Sequence, residues 1–443
     1  MKPQSPPKSD LELFQSELGN MIEHRHDLVK LANMIDWDFI ESKLSGYFKE
    51  SIVGHPPLPI RLVAGLLILK EVRKLSDEVI VSAWLENPYF QYFTGEQYFQ
   101  TKFPCDPTSL VRWRARIGSE GMEVILQASL IVGFRVGQLN EQSCAEVIVD
   151  STVMNKAIKF PTDSNLINKI RMRMVEESRE EGIKLRQNYN RLAIDLMRKI
   201  SGYGHARQYK RMQNALKKLK NYTGRVYRDM LRHYATKDQE MPFKIKELLT
   251  MANKLLTQSR ESKDKLYALH APEVACIAKG KAQISYEFGA KVGIAISNKT
   301  GYVLSAIAFA GNPHDSKTLK EQLDHSAQMT GIKPAIVSVD RGYRGHGLDT
   351  TITKVLIAGT RGLKGRLKHL MRRRSAIEPA IGHMKSDGHL GRNYLKGAKG
   401  DKINAIAAAF GHNFRLLLNF FKKKLSLDFF YCWFFTSLPL KFA

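Results

Sequence analysis

The sequence predicts a mixed α/β fold, a sheet-bearing core behind an all-α N-terminal region, and three observations predict it. Two apolar, β-branched runs, residues 145–152 and 335–340, each reach an aspartate, Asp150 and Asp340. Such runs read as buried strands, which puts each carboxylate at the C-terminal lip of its strand. Residues 10–135 show helical periodicity and cap signals instead of strand alternation. Residues from about 165 to 265 are highly charged, with helical spacing and few strand signals, so they read as a helical insertion within the core.

In the N-terminal region, residues 57–74 hold a periodic helix around Leu62, Leu66, Leu69 and Val72, and Ser76-Asp77-Glu78 can cap the next. Asn87-Pro88-Tyr89-Phe90 reads as a turn packed by aromatics. Asp106-Pro107 then caps a helix that carries Arg112, Trp113, Arg114 and Arg116. Short helices ending in an arginine-bearing one suggest a helix-turn-helix reader of DNA, and a plain bundle with solvated arginines would give the same pattern. Pro161-Thr162-Asp163 marks the start of the insertion, with Asp163 as the cap. Within it, bases alternate with aromatics from Arg207 to Tyr234. A solvated helical hairpin and a DNA-gripping insertion both account for that. Residues 285–296 and 302–309 read as a hairpin turned at Asn298-Lys299-Thr300-Gly301. A helix over 316–329, the Asp340 strand, a short strand over 354–358 and a helix around Glu378 complete the core. Strand, hairpin, helix, strand and acidic helix, in that order, match an RNase H-like fold with one insertion.

Charge narrows the partners. There are 69 Lys and Arg against 43 Asp and Glu, a formal charge of +26. Such a chain attracts polyanions, because its cations displace condensed counterions from nucleic acid. From Lys354 to Lys424 there are 17 bases against Glu378, Asp387 and Asp401. The four cysteines, Cys105, Cys144, Cys276 and Cys432, lack the spacing of a zinc site or a disulfide framework, which fits a reducing cytoplasm. The first residues have no apolar signal core. The tail, 425–443, is aromatic around Phe429–Phe435 but shorter than the roughly 20 apolar residues of a membrane span, so it reads as an extension or packing segment. Gly359-Thr360-Arg361-Gly362-Leu363-Lys364-Gly365 lacks Walker spacing, so no nucleotide cofactor is expected.

The chemistry rests on three carboxylates, Asp150, Asp340 and Glu378. Two strand-end acids and one helical acid are hard oxygen donors that favour Mg²⁺ over zinc. A pair of such ions about 3.5–4 Å apart would hold both oxygens of an in-line displacement at phosphorus. At 100° per residue Arg374, Glu378 and Lys385 share one helical face within about 40°, so the cations could hold a DNA phosphate beside the acid. Arg341 and Arg344 could do likewise after the second acid. His314-Asp315 could form a small hydrogen-bonded pair, or simply a turn, and His383 reads as structural.

The order of motifs resembles the DDE transposases of bacterial insertion sequences, most like the insertion-sequence-5 family. The blocks are Asp150-Ser151-Thr152, Tyr286-Glu287-Phe288-Gly289 with Lys291-Val292, Gly311-Asn312-Pro313-His314-Asp315-Ser316, Asp340-Arg341-Gly342-Tyr343, the glutamate block, and Gly411-His412-Asn413. They span residues 15–424. Arg374, Glu378 and Lys385 match the family's glutamate signature, whose tyrosine position is here Met371. The resemblance implies catalytic Asp150, Asp340, Glu378 and Lys385, with the three acids binding two Mg²⁺ (Mn²⁺ substituting). It further implies DNA contacts from Arg112, Arg114, Arg341, Arg344, Arg374 and Lys385. The implied partners are the element's terminal inverted repeats and a target duplex, handled by at least a dimer with no membrane involved. A decayed copy that only binds DNA is the alternative.

Overall fold

Strand-forming residues are concentrated where the sequence places the aspartates, and the computed structural model builds a sheet from them. It describes residues 16–48, 57–103, 105–237, 240–259, 261–278, 286–349 and 351–436. Contacts divide the chain into two units, residues 1–155 with 291–443, and residues 156–290.

Among the described residues the first unit opens with seven α-helices: α1 (Leu18–Met21), α2 (Asp27–Met34), α3 (Trp37–Leu44), α4 (Ile60–Arg73), α5 (Asp77–Glu86), α6 (Pro88–Phe93) and α7 (Pro107–Arg135). Their starts follow the cap chemistry: Ser76 caps α5, and Asp106 with Pro107 opens α7. The expected turn at Asn87-Pro88 is instead the start of α6. The Asn87 side chain accepts from the amides of Tyr89 and Phe90, and proline suits the first helical position. Helix α7 breaks at Gly118, whose φ of 62° and ψ of −160° leave the helical region. The helix is long and apolar enough to cross a membrane, but 56% of that window is buried inside the fold.

Helix α8 (Glu141–Ala145), opened by an Asn140/Ser143 capping box, delivers the chain into β1 (Glu146–Lys156). After the second unit the chain returns within β3 (Tyr286–Ser297) and turns into β4 (Val303–Phe309). Then come α13 (Asp315–Thr330), β5 (Ile336–Val339), β6 (Lys354–Ile357), α14 (Gly365–Arg372), α15 (Ile377–Ser386), β7 (Arg392–Asn393) and α16 (Gly397–Thr436). In this unit the sheet order is β4-β3-β1-β5-β6, with β7 also paired to β1. Strands β3 and β4 are antiparallel, whereas β5 runs parallel to both β1 and β6. The β1 strand is longer than its apolar run suggests. It continues six residues past Asp150, because Val153 and Met154 are buried as well.

Helix α16 packs on α2, α4, α7, β4 and α15. Asn413, fully buried on it, imitates a strand edge. Its Oδ1 accepts from the Val303 amide at 2.8 Å, and its Nδ2 donates to the Val303 carbonyl and the Ser129 hydroxyl. The adjoining His412 is equally buried; burial, then Arg415, pushes its pKa down to about 4, so it is neutral. The backbone of the tail continues α16 to Thr436, while the side chains of its aromatic segment and residues 437–443 lie outside the described residues.

In the second unit the insertion is four helices, α9 (Asp163–Glu180), α10 (Asn190–His205), α11 (Tyr209–Lys237) and α12 (Phe243–Thr257). The cap of α9 is Thr162, whose hydroxyl accepts from the Asn165 amide; Asp163 is its first helical residue. One core joins Ile170, Met174, Val226, Met230, Leu248 and Leu249; a second joins Leu196, Ile200, Ala215 and Leu219. Arg171, 1% exposed, donates to Asn168, to the Asn188 carbonyl and to Asn190, tying α9 to the start of α10. Strand β2 (Ala275–Ala278) pairs antiparallel with the first residues of β3.

Replacing Asn413 by leucine should cost about 3 kcal/mol, since it strands a buried amide and carbonyl of β4. Urea unfolding of Asn413→Leu against the unmodified chain measures this, and an unchanged midpoint would contradict the role given to that side chain.

Candidate active site

The site grows from the pairing of β1 with β5. Their register is Glu146 with Ile336 through Val149 with Val339, and the next residue on each strand is an aspartate. Parallel, in-register strands therefore bring Asp150 and Asp340 side by side from 190 residues apart in sequence. The expectation that both sit at strand ends holds for one of them. Asp340 follows the last residue of β5 and precedes a 3₁₀ turn, Arg341–Tyr343, whereas Asp150 lies inside β1.

Asp150 is half-buried and Asp340 exposed. The Asp150 carboxyl is pushed up to about 6, first by burial and then by the negative charges of Asp340 and Asp315. The Ser151 amide, which donates to it at 2.7 Å, and the Arg374 guanidinium pull the other way. Losing that contest means the pocket disfavours a second negative charge, which is the condition a bound cation relieves.

Asp315, which the sequence offered only as a partner for His314 or part of a turn, sits beside this pair and acts on Asp150. At the start of α13, its Oδ1 accepts from the Ser151 hydroxyl at 2.8 Å and pairs with Lys291 Nζ at 2.7 Å. Lys291, largely buried on β3, also donates to the Pro313 carbonyl at 2.8 Å. A Cβ at Gly342 would lie 3.0 Å from Asp315 Oδ2, so the turn after Asp340 closes tightly over this carboxylate. Beneath that turn the Tyr343 ring is 1% exposed, and burial raises its pKa, helped by Asp315 and Asp150. Of the two readings offered for His314-Asp315, a hydrogen-bonded pair or a turn, the pair does not form. His314 instead caps α13 and pairs with the Ser316 hydroxyl at 2.8 Å. All these residues lie inside the quoted motif blocks, but no spacing in the sequence shows that Lys291 and Ser151 meet on Asp315.

Glu378 completes no three-carboxylate cluster with the two aspartates among the described residues. Its side chain on α15 is 66% exposed, and Arg374 lies 3.9 Å from it. Among the described residues no group of three or more acidic, histidine or cysteine side chains is arranged to hold a metal. The helical face expected for Arg374, Glu378 and Lys385 is interrupted. Arg374 belongs to a 3₁₀ turn (Arg373–Ala376) and only Glu378 and Lys385 lie on α15. His383 pairs with Asp387 on that helix at 2.7 Å.

The arginines separate into two groups. Arg112, Arg341 and Arg344 are exposed, and Arg341 lies against Gly359, where the backbone is left-handed (φ 87°) and a Cβ would meet the guanidinium. Arg114, expected to contact DNA, is instead buried. Its guanidinium grips Asp77 with both nitrogens, and Lys70 joins the same carboxylate at 2.9 Å. Only 5% exposed and paired with Asp77 through both terminal nitrogens, this arginine holds α7 to α5 and turns no open face to a phosphate. Its alternation with exposed neighbours Arg112 and Arg116 gave the sequence no means of telling them apart.

Comparison with known proteins follows the same division. Residues 16–116 match a family described as Transposase domain (DUF772), and residues 261–414 match one described as Transposase DDE domain. Asp340 and Glu378 fall within the second match; Asp150 lies between the two. A Rhizobium meliloti protein described as uncharacterized protein ORF8 in nfe locus is 40% identical over 209 residues, all of that protein and 47% of this chain. No solved structure matches. Two transposase domains, over more than half of its length, make this chain a member of the insertion-sequence transposases, enzymes that act on DNA.

Proposed function

We propose that the chain binds the terminal inverted repeats of its own insertion sequence, cleaves a phosphodiester at each end, and joins the freed 3′-hydroxyl to target DNA. The observation that carries this reading is the juxtaposition of Asp150 and Asp340 on adjacent parallel strands, with Asp150 pushed up to about 6. In this reading the core is RNase H-like, the element is most like the insertion-sequence-5 family, and the working complex is at least a dimer. The hairpin of β3 and β4 beside β1, with β5 and β6 on its other side, supports that fold assignment.

Transposases with this domain normally use divalent metal ions. The two aspartates fit one, since they are hard oxygen donors whose mutual repulsion a cation relieves. Glu378 is assigned as a third donor by motif order alone, and Mg²⁺, with Mn²⁺ substituting, is the ion suggested by an all-oxygen donor set. Bound there, such ions would acidify a water or 3′-hydroxyl and stabilise the leaving oxygen. The protein's own part is to hold the two carboxylates in register, and to offset the nearby charge of Asp315 with Lys291. Arg341, Arg344, Arg374 and Lys385 are proposed to hold the DNA backbone near the acids, and Arg112 to contact DNA from α7. Both chemical steps are single displacements at phosphorus and need no nucleotide cofactor.

Asp340→Asn should abolish Mg²⁺-dependent nicking of a plasmid carrying the element's ends while end binding persists. Nicking that survives this change would remove Asp340 from the site. A second test reads stability. Asp150 has a folded pKa of about 6 against an ordinary 3.8, so the folded state holds the extra proton between these values. Stability is therefore full below the lower value and falls as pH rises through the upper one, by at most about 3 kcal/mol. Asp150→Asn should match the unmodified chain near pH 4 and exceed it above pH 6 in thermal unfolding. Mg²⁺ at pH 7.5 should raise the melting temperature of the unmodified chain and leave that of Asp150→Asn nearly unmoved; equal shifts would argue against cation binding at this carboxylate.

A further inference from the structure

The second unit carries a feature that the carboxylate site does not use. From Arg198 to Lys237 the sequence has twelve lysines and arginines and a single acid, Asp229. That acid is already engaged by Arg186 and Arg232. Charge on helix α9 is different in kind, since Asp163, Glu176, Glu177 and Glu180 balance Lys169, Arg171, Arg173 and Arg179.

Helix α11 sorts these residues by face. Ala215, Leu219, Thr223, Val226, Met230 and Tyr234 are buried, each three or four residues from the last, and form one stripe against the rest of the unit. Lys210, Lys217, Lys218, Arg225, Arg228 and Arg232 are exposed. At 100° per residue these six fall within an arc of about 100°, centred roughly opposite the buried stripe. Asn214 and Asn221, also exposed, lie in the same arc. From Lys210 to Arg232 the stripe is about 33 Å long.

Packing does not require this arrangement, because a solvated helix face is served as well by mixed charges, which support one another at i, i+4. Six like charges on one face repel, and the helix tolerates that only because its other face is buried. A straight cationic ridge of this length matches one turn of duplex DNA, roughly 34 Å, and can reach phosphates on both sides of a groove. We propose that the exposed face of α11 is a second DNA-docking surface, which grips the phosphate backbone without reading sequence. The inference rests on the chain being a transposase but not on its carboxylates being active.

The test uses the full chain and a labelled duplex of arbitrary sequence. Affinity is measured across salt concentrations for the unmodified protein and for a variant carrying Lys210→Gln, Lys217→Gln, Lys218→Gln and Arg228→Gln. A control variant carries Lys169→Gln, Arg173→Gln, Arg179→Gln and Lys184→Gln, removing the same charge from exposed positions on and just after α9. The α11 variant should bind more weakly, with a salt slope shallower by about 2–4. The control should keep both affinity and slope, and thermal unfolding should be unchanged in each. Equal losses in the two variants would mean that net charge alone matters, and an unchanged slope in the α11 variant would mean that the face does not meet phosphates; either overturns the proposal. Loss confined to duplex RNA would overturn it also. Because the readout is binding, a chain that binds in this way yet never nicks DNA would refute the proposed catalysis and leave this inference standing.

Discussion

The geometry of the site depends on one constraint, the in-register parallel pairing of β1 with β5. Side chains on adjacent parallel strands follow the backbone hydrogen bonds, so matching Val149 with Val339 leaves Asp150 and Asp340 no choice of neighbour. A one-residue slip would turn one carboxylate to the other face of the sheet. The apolar side chains of Val147, Val149, Val337 and Val339, all buried, guard against that slip. Burying them drives the two carboxylates together, and burial of Asp150, then the charge of Asp340, raises its pKa to about 6.

Around this pair the fold places counter-charges in graded fashion. Lys291 and Ser151 fix Asp315, so that this nearby carboxylate is bound within the protein. Arg374 faces Asp150 from outside the sheet and offsets part of its burden. The aspartate pair itself is left uncompensated by any lysine or arginine at ion-pairing distance among the described residues. That is costly in stability and useful in chemistry, since an adjacent pair of hard oxygen donors is what a divalent ion would take.

The basic charge of the chain serves more than one purpose. Arg114 and Arg171 are buried structural members, each holding two helices together, and neither contributes to an external field in the way its sequence neighbours do. On α11 the bases are sorted from the apolar residues by helical geometry, which concentrates them along one edge of the second unit. On α9 they are interleaved with acids and largely cancel. Equal numbers of arginines in a sequence can therefore mean a strut, a neutral surface or a cationic ridge.

Much of this was written in the sequence. The two apolar runs ending in Asp150 and Asp340, the β3–β4 hairpin and the helical insertion are all local patterns, set by side-chain periodicity and turn residues acting over a few positions. Cap chemistry at Ser76 and Asp106 is local in the same sense. What only the tertiary structure decided was long-range. The register of β1 against β5 joins residues 190 apart, and Asp315 meets Lys291 and Ser151 through three separate elements. Burial made Arg114 a partner of Asp77, though its local sequence resembles that of exposed Arg112 and Arg116. The setting of Glu378, exposed and 3.9 Å from Arg374, was likewise beyond the reach of spacing, because a 3₁₀ turn breaks the helix that spacing assumes. Periodicity specifies which face of an element is apolar; only packing determines which polar groups that face brings together.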